Sequence, residues 1–252
     1  MTLQNNDANE ASEYSPHEIL WSDDKIDRLW DYYSGCETYQ KEYFSFQAGK
    51  IVLNQIGKYA NLGKLSAILD YGCGPGFLLE VLLEHLKADQ KCYGLDFSKK
   101  SVELVEKKFA GIPNYGGAVW AENLPTRYQD ESMDLVISLE VVEHLDDEKL
   151  LSMVKEIHRI LTPRGYVAIT TPNRENISKN KAICPDCGAI FHRWQHVRTW
   201  TASTLQGYME TCGFKTVHVL ESNFASKHQR LVKYFLKIFP QKKTSLLYIG
   251  AK

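Results

Sequence analysis

Short hydrophobic runs alternate with helical patterns along the chain after Gly63. Runs of apolar and β-branched residues predict seven strands, at 65–71, 91–96, 117–120, 133–139, 166–171, 215–221 and 245–251. Amphipathic patterns predict helices at 77–86, 99–109, 146–161 and 202–212. This order predicts an α/β fold, a doubly wound and mostly parallel seven-stranded sheet with helices on both faces. The last two strands are not joined by a regular covering helix, which predicts an antiparallel edge strand.

The chain divides into a core and several additions. Residues 1–16 are polar with almost nothing to bury, which predicts a flexible tail. Residues 17–60 are predicted to be helical, and their many aromatic side chains either pack against the core or form a lid over a pocket. Residues 61–252 hold the sheet. Within them we predict an insert at 174–200 and a helical connection at 223–243.

Composition excludes several classes of protein. The 252 residues are 44% hydrophobic and 24% charged, which is typical of a soluble globular protein. No apolar run approaches the ~20 residues that a membrane-spanning helix needs, and the polar N-terminus lacks a signal-peptide pattern. We therefore expect a cytoplasmic protein. The formal net charge of −1 provides no overall basic field, which argues against nucleic acid as a partner.

The sharpest local signal is a glycine loop after the first predicted strand. Asp70 precedes Gly72, Gly74 and Gly76, and a predicted helix begins at Phe77. Glycines at such a junction allow a tight turn and let a ligand approach the backbone N–H groups. The spacing differs from the dinucleotide fingerprint Gly-x-Gly-x-x-Gly, because Phe77 stands where the third glycine belongs. The carboxylate of Asp70 would repel a pyrophosphate and suits a ligand with a cationic amino group.

A second carboxylate, Asp96, ends the next predicted strand. A carboxylate at this place can accept hydrogen bonds from both hydroxyls of a ribose. Alternatively, Asp96 caps the helix that is predicted to follow it. Together with Asp70, it favours a ligand with an amino-acid group at one end and a nucleoside at the other. S-adenosylmethionine has that shape.

Five short motifs support this ligand: Asp70-x-Gly72-x-Gly74-x-Gly76, Leu95-Asp96, Ala121-Glu122-Asn123-Leu124-Pro125, Asp134-Leu135-Val136 and Glu140-Val141-Val142-Glu143-His144-Leu145. In this order and spacing, over about residues 60–222, the chain resembles the class I S-adenosylmethionine-dependent methyltransferases. It looks most similar to the small-molecule branch that includes the ubiquinone-biosynthesis O-methyltransferases. The resemblance implies a Rossmann-like methyltransferase fold. It also implies S-adenosylmethionine as cofactor, bound by Asp70, Gly72, Cys73, Gly74, Gly76, Asp96, Phe97, Ala121, Glu122 and Leu139.

One position departs from the family pattern. Many relatives carry an aspartate just before the Ala121-Glu122 pair, where it can bond the amino group of the adenine, whereas this chain has Trp120. Either the backbone and Glu122 hold the adenine, or Trp120 packs beneath it.

Candidate catalytic residues follow the fourth predicted strand: Glu140, Glu143 and His144. Methyl transfer from a sulfonium needs orientation and removal of the acceptor's proton, and a histidine can accept a hydroxyl proton near neutral pH. In the resembled quinone methyltransferases, acidic and histidine side chains of this stretch are associated with a divalent metal that would lower the pKa of the acceptor. Alternatively, Glu143 and His144 only hold the loop and cap the helix that begins near Asp146.

The insert contains four candidate metal ligands in the pattern C-x2-C-x4-H-x3-H: Cys184, Cys187, His192 and His196. Two thiolates and two imidazoles form a closed tetrahedral zinc site, and Gly188 permits the chain reversal of a zinc knuckle. We predict a structural zinc that stiffens a lid over the site. The alternative is two unlinked cysteines beside surface histidines.

The last connection reads as a basic amphipathic segment at 228–239, with Arg230, Lys233 and Lys237 on one stripe. Such a segment can cover the acceptor pocket, contact a membrane surface or a lipid-linked acceptor, or join two copies of the chain.

These patterns together predict methyl transfer from S-adenosylmethionine to a small-molecule acceptor, most favourably at a hydroxyl. One alternative is an RNA methyltransferase that binds through the zinc knuckle, with Arg193, Trp194 and Arg198 on the RNA. The other is a non-catalytic cofactor-binding protein whose insert recognises a partner. The acceptor itself cannot be predicted, because its pocket is formed by variable loops rather than motifs.

Overall fold

The computed structural model describes residues 14–224 and 243–252. Most of the predicted tail and all of the segment 228–239 lie outside these ranges. The α-helices are α1 (Asp23–Gly35), α2 (Glu37–Gln40), α3 (Phe44–Ile56), α4 (Phe77–Leu83), α5 (Lys99–Phe109), α6 (Asp147–Ile160) and α7 (Ala202–Thr211). The strands are β1 (His17–Glu18), β2 (Ala67–Tyr71), β3 (Lys91–Asp96), β4 (Tyr115–Trp120), β5 (Met133–Leu139), β6 (Leu161–Pro172), β7 (Lys181–Ile183), β8 (Ala189–His192), β9 (Lys215–Ser222) and β10 (Ser245–Ala251).

The main sheet has seven strands in the order β4-β3-β2-β5-β6-β10-β9. The first five strands of this order are parallel to one another. At the edge of the sheet, β10 lies between β6 and β9 and is antiparallel to both. This confirms the predicted doubly wound sheet with an antiparallel edge. The chain passes from β2 outward through β3 and β4, then returns to β5 on the other side of β2. Such a reversal opens a crevice at the carboxyl end of the central strand, where ligands bind.

Two hydrophobic layers cover the sheet, and β2 shows why. Its successive side chains point to opposite faces. Ile68 belongs to one buried cluster with Leu79 of α4, and Leu69 belongs to the other with Met153 of α6. A strand that is buried on both faces needs a continuous apolar run, which is the pattern that made the core strands predictable.

A second, three-stranded sheet was missed by the sequence analysis. Its order is β1-β8-β7, and it joins the start of the described chain to the insert. His17 pairs with Ala189 in a parallel register, and β7 with β8 forms an antiparallel hairpin. These strands have only two to four residues, too few for a period-two pattern. Across the described ranges, no helix has the length and apolar content needed to span a bilayer.

Candidate active site

A cavity of about 1100 Å³ lies at the carboxyl ends of β2, β3 and β5. The glycine loop and Asp96 line one part of it, and Glu140 and His144 line another. Trp30 of α1 and residues 194–197 of the insert complete the wall. The cavity therefore brings eight of the ten predicted cofactor residues and two of the three predicted catalytic residues into one space. Asp70, Gly76 and Glu143 are not among the residues that line it.

The glycine loop adopts a backbone that other residues would strain. Gly72, Gly74 and Gly76 all have positive φ angles, of +81°, +49° and +84°. A Cβ added at Gly72 would lie 2.5 Å from Cγ2 of Val141, and one at Gly76 would lie 2.8 Å from the ring of Phe109. The loop therefore requires glycine both for its turn and for its close packing.

Asp70 is a buried carboxylate with an unsatisfied oxygen. The residue is 2% exposed, and its Oδ2 has no hydrogen-bond partner among the described residues. Burial, with a smaller effect from Asp96, raises its pKa well above the ordinary value. A buried acceptor without a partner is costly unless a ligand supplies the donor. The amino group of a methionine moiety is a suitable donor.

Asp96 is held by the backbone around it. Its Oδ2 accepts the N–H of Gly74 at 2.7 Å, and its Oδ1 accepts the N–H of Ser98 at 2.8 Å. Burial raises the pKa of Asp96 to about 6, although both N–H groups favour its ionised form. The alternative that Asp96 caps α5 is wrong. Ser98 is the N-cap and accepts the N–H of Ser101 at 3.1 Å, which leaves the carboxylate of Asp96 able to accept ribose hydroxyls.

Another part of the same cavity is lined by the predicted adenine residues Phe97, Ala121 and Glu122, by Trp120, and by the predicted cofactor residue Leu139. Trp120 is 40% exposed, and its Nε1 donates to the carbonyl of Phe97 at 3.0 Å. The N–H of Ala121 donates to the backbone carbonyl of Asp96 at 2.9 Å. This bond connects the residues predicted to hold the adenine with the residue predicted to bind the ribose. Trp120 and Glu122 both face the cavity, so each of the two predicted ways of holding an adenine stays open.

We call residues 140–145 the acid–histidine motif. It contains three buried polar atoms without partners among the described residues: Glu140 Oε1, Glu143 Oε1 and His144 Nδ1. Nε2 of His144 donates to the carbonyl of Glu140 at 3.1 Å, which leaves the lone pair on Nδ1. The other oxygen of Glu143 accepts the hydroxyl of Thr171 at 2.9 Å. Asp146, not Glu143 or His144, caps α6 by accepting the N–H of Lys149 at 2.8 Å.

Burial shapes the ionisation of this motif. It raises the pKa of Glu140 to about 8 and that of Glu143 well above the ordinary value. It lowers the pKa of His144 to about 3, and the neighbouring His196 adds to this effect. At physiological pH a neutral His144 is therefore a hydrogen-bond acceptor or a metal ligand at Nδ1, rather than a general base that takes up a proton.

The predicted Cys2His2 zinc set is not assembled, which corrects the sequence analysis. Cys184 and Cys187 lie in the turn of the β7–β8 hairpin, where the backbone N–H groups of Cys187 and Asp186 lower the pKa of the Cys184 thiol. His192 ends β8 and pairs with Lys181, at the other end of the hairpin. The extended residues between the turn and His192 therefore separate the two halves of the set.

The insert histidines lie against carboxylates instead. Among the residues described, the groups of three or more side chains able to hold a cation are Glu143–His144–His196 and Glu175–His192–His196, and neither contains a cysteine. Nδ1 of His196 makes a close contact with Glu175 Oε2. Sequence reasoning missed Glu175, because no motif surrounds it and only the fold brings it to the histidines.

The aromatic N-terminal helix contacts the insert across the cavity. Nε1 of Trp30 donates to Gln195 Oε1 at 3.2 Å, and the Trp30 ring lies edge-on to His144 at 4.9 Å. The hydroxyl of Tyr33 donates to the carbonyl of Arg193 at 2.5 Å. These contacts bring α1 and the insert together over the acid–histidine motif.

Comparison with known proteins agrees with this site. Residues 39–219, more than half of the chain, match the model of a methyltransferase domain family. A probable S-adenosylmethionine-dependent methyltransferase of Mycolicibacterium smegmatis is 28% identical over 155 residues, which cover 61% of this chain and 53% of the relative. The mitochondrial ubiquinone biosynthesis O-methyltransferase of Dictyostelium discoideum is 31% identical over 126 residues, which cover 46% and 38%. This chain thus spans about half or less of these relatives.

A solved structure shares the fold over nearly the whole chain. The 1,6-didemethyltoxoflavin-N1-methyltransferase of Burkholderia thailandensis, with 1,6-didemethyltoxoflavin and S-adenosylhomocysteine bound, gives a TM-score of 0.60 at 14% identity over 94% of each chain. The family match includes the glycine loop, Asp96 and the acid–histidine motif. The chain therefore belongs to the class I S-adenosylmethionine-dependent methyltransferases.

Proposed function

We propose that this protein transfers a methyl group from S-adenosylmethionine to a hydroxyl of a small-molecule acceptor. The observation that carries the proposal is one cavity lined by both the glycine loop with Asp96 and the unsatisfied side chains of Glu140 and His144. The first set suits the cofactor and the second suits an acceptor whose proton has to leave. When bound, S-adenosylmethionine supplies a methyl group on a positively charged sulfur.

The residues present fit that cofactor. The unsatisfied oxygen of Asp70 would accept the amino group of the methionine end. Asp96 would accept the ribose hydroxyls with lone pairs that the backbone leaves free. Gly72 and Gly74 line the cavity and carry no side chain of their own, so a ligand can approach the main chain there. Each contact is one the sequence analysis predicted, and the proposed binding site combines them.

The acid–histidine motif also fits the divalent metal associated with the resembled quinone methyltransferases. Glu140, Glu143 and His144 each offer a buried atom without a partner, and carboxylates with imidazole suit a divalent transition metal. They would hold such a metal, which would supply positive charge that lowers the pKa of the acceptor hydroxyl. In this proposal the three residues contribute to catalysis by holding the metal. His144 does not need to accept the proton of the acceptor hydroxyl.

The charge of the cavity favours a small molecule over RNA. Among the described residues, the Asp, Glu, Lys and Arg side chains that line it are acidic except Lys149, and Lys149 pairs with Asp23. The acidic ones are Asp23, Asp27, Glu42, Asp96, Glu122, Glu140, Asp146 and Glu148. A polyanionic acceptor would be repelled by this wall. Arg193 pairs with Glu42 and Arg198 with Asp147, so neither is a free phosphate contact.

A methyl-transfer experiment tests the proposal. The purified protein is incubated with carbon-13 methyl-labelled S-adenosylmethionine and either a small-molecule extract or total RNA from the same cells. We expect label in the small-molecule fraction, and a carbon chemical shift typical of a methyl ether. The Asp96→Asn variant serves as the control, because its weakened cofactor binding should greatly reduce the transfer of label.

The other outcomes decide between the alternatives. Label confined to RNA would replace the small-molecule acceptor with a nucleic acid. Label on nitrogen or carbon would reject the hydroxyl. Binding of S-adenosylhomocysteine without transfer to either fraction would favour the non-catalytic, partner-recognising alternative.

A further inference from the structure

The insert is attached to the acid–histidine motif by consecutive hydrogen bonds. Nε2 of Gln195 donates to the carbonyl of His144 at 2.8 Å. The N–H of Val197 donates to the carbonyl of Glu143 at 2.9 Å. These bonds fix the residues on both sides of His196 to the motif. His196 is thereby held beside His144, and the centroids of the two rings are 4.9 Å apart.

The atoms of the motif that face no partner are the ones a cation needs. Glu143 is 1% exposed, its Oε2 is fixed by Thr171, and its Oε1 is unsatisfied among the described residues. His144 is fixed through Nε2, and its Nδ1 is unsatisfied. Both side chains are thus oriented by one atom and leave the other available. Such second contacts are how proteins orient metal ligands.

His196 shows the same arrangement. Its Nδ1 contacts Glu175 Oε2, which leaves Nε2 as the nitrogen available to a ligand. A carboxylate behind a histidine fixes the ring and strengthens it as a metal ligand.

We propose that His196, which the insert contributes, is a further ligand of a divalent cation held by Glu143 and His144, with Glu175 as the residue that positions it. One ligand atom from each of the three residues lies within 4.8 Å of the others. Two atoms bound to one cation at ~2.1 Å are about 3 to 4 Å apart, so a small inward movement suffices. With Glu140 of the proposed function, the set has two imidazoles and two carboxylates, which leaves positions of an octahedral cation open for an acceptor.

His192 supports this site and is not a ligand. Its Nδ1 accepts the N–H of His196 at 3.1 Å and that of Trp194 at 3.3 Å, so the proton of the neutral ring is on Nε2. Nε2 lies 3.4 Å from Glu175 Oε1. A cation at Nε2 would have to displace this proton. The group Glu175–His192–His196 is therefore a support behind the proposed ligand.

The inference rests on the cation of the proposed function and adds a consequence. A ligand from the insert makes cation binding depend on the docking of the insert over the cavity. In this inference the insert contributes a ligand to a cation in the acceptor cavity. The sequence analysis predicted instead a zinc bound at the turn that contains Cys184 and Cys187.

Titration calorimetry with Mn²⁺ as the only added metal tests the inference on the full chain. Mn²⁺ prefers oxygen and nitrogen ligands and avoids the thiols of the hairpin turn. We expect one Mn²⁺ per chain, ~100-fold weaker binding in His196→Ala, and ~10-fold weaker binding in Glu175→Gln. The control is His85→Ala, which removes an exposed histidine at the end of α4 and should bind as the wild type.

Two further measurements keep the test decisive. Electron spin echo spectroscopy of bound Mn²⁺ counts coordinated imidazoles, and we expect two in the wild type and one in His196→Ala. Calorimetric binding of S-adenosylhomocysteine checks that each variant is folded. Wild-type Mn²⁺ affinity in His196→Ala, with binding lost in His144→Ala, would overturn the role of His196 and leave the cation of the proposed function intact. No Mn²⁺ binding by the wild type would reject both.

Discussion

Replacing Gly72 with alanine is expected to weaken the binding of S-adenosylhomocysteine ~100-fold, which corresponds to ~2.8 kcal/mol. The φ of +81° at Gly72 costs an L-residue about 1–2 kcal/mol. The added Cβ also lies 2.5 Å from Cγ2 of Val141, in the acid–histidine motif. Relief of this overlap moves either the glycine loop or the motif, and both line the cavity. Calorimetry with S-adenosylhomocysteine and urea unfolding measure the two effects.

Gly111 offers a matched control for the backbone strain. Its φ is +78°, but an added Cβ would meet nothing within 4 Å. Gly111→Ala should therefore lower the free energy of unfolding by about 1–2 kcal/mol and leave ligand binding unchanged. Adding Val141→Ala to Gly72→Ala removes the overlapping methyl group and should restore part of the affinity. Wild-type affinity in Gly72→Ala would show that the ligand does not depend on this loop.

The Asp96→Asn variant is expected to bind S-adenosylhomocysteine about 100- to 1000-fold more weakly. Both carboxylate oxygens of Asp96 accept backbone N–H groups, from Gly74 and Ser98. Asparagine has one acceptor oxygen, so its NH₂ group would face one of those donors and could not accept a ribose hydroxyl. Hydrogen bonds to a charged group contribute about 1.5–3 kcal/mol each, and the loss of the two ribose contacts at the lower end of this range, ~3–4 kcal/mol, gives the expected weakening. Calorimetry measures the change.

Two controls separate the ribose contact from a general loss of structure. Asp134 also accepts two backbone N–H groups, from Ser66 and Ala67, but it is outside the cavity lining. Asp134→Asn should bind the ligand as the wild type does.

Burial raises the pKa of Asp96 to about 6, so the affinity of the wild-type protein for S-adenosylhomocysteine should fall by up to about tenfold per pH unit as the pH drops below 6 and the carboxylate protonates. Equal affinity at pH 5 and pH 8 would contradict the role of Asp96.

The sheet and the cofactor loop were predictable for local reasons. β5 is observed over the predicted range because residues buried on both faces must be apolar. The glycines of the loop were predictable because each meets a conformational demand that glycine alone satisfies easily. The turn at Cys184 was also predictable, since Gly188 has the positive φ that the reversal requires.

The ligands of the insert were not predictable from spacing. The pattern C-x2-C-x4-H gives the number of residues between cysteine and histidine, but not whether that stretch turns or extends. Pairing with β7 extends it as β8, which carries His192 away from the cysteines. The partner of His196, Glu175, is 21 residues away in the chain and comes close only through the fold. Contacts of this kind carry no local signal in one sequence.

Binding of S-adenosylhomocysteine and of NAD by the wild-type protein is the measurement that tests the cofactor assignment most directly. Titration calorimetry should show one S-adenosylhomocysteine bound per chain, and the Asp96→Asn variant should lose most of that affinity. NAD should give no detectable binding, because Asp70 would repel its pyrophosphate and the third glycine of the dinucleotide pattern is replaced by Phe77. Binding of NAD without S-adenosylhomocysteine would contradict the methyl-transfer function.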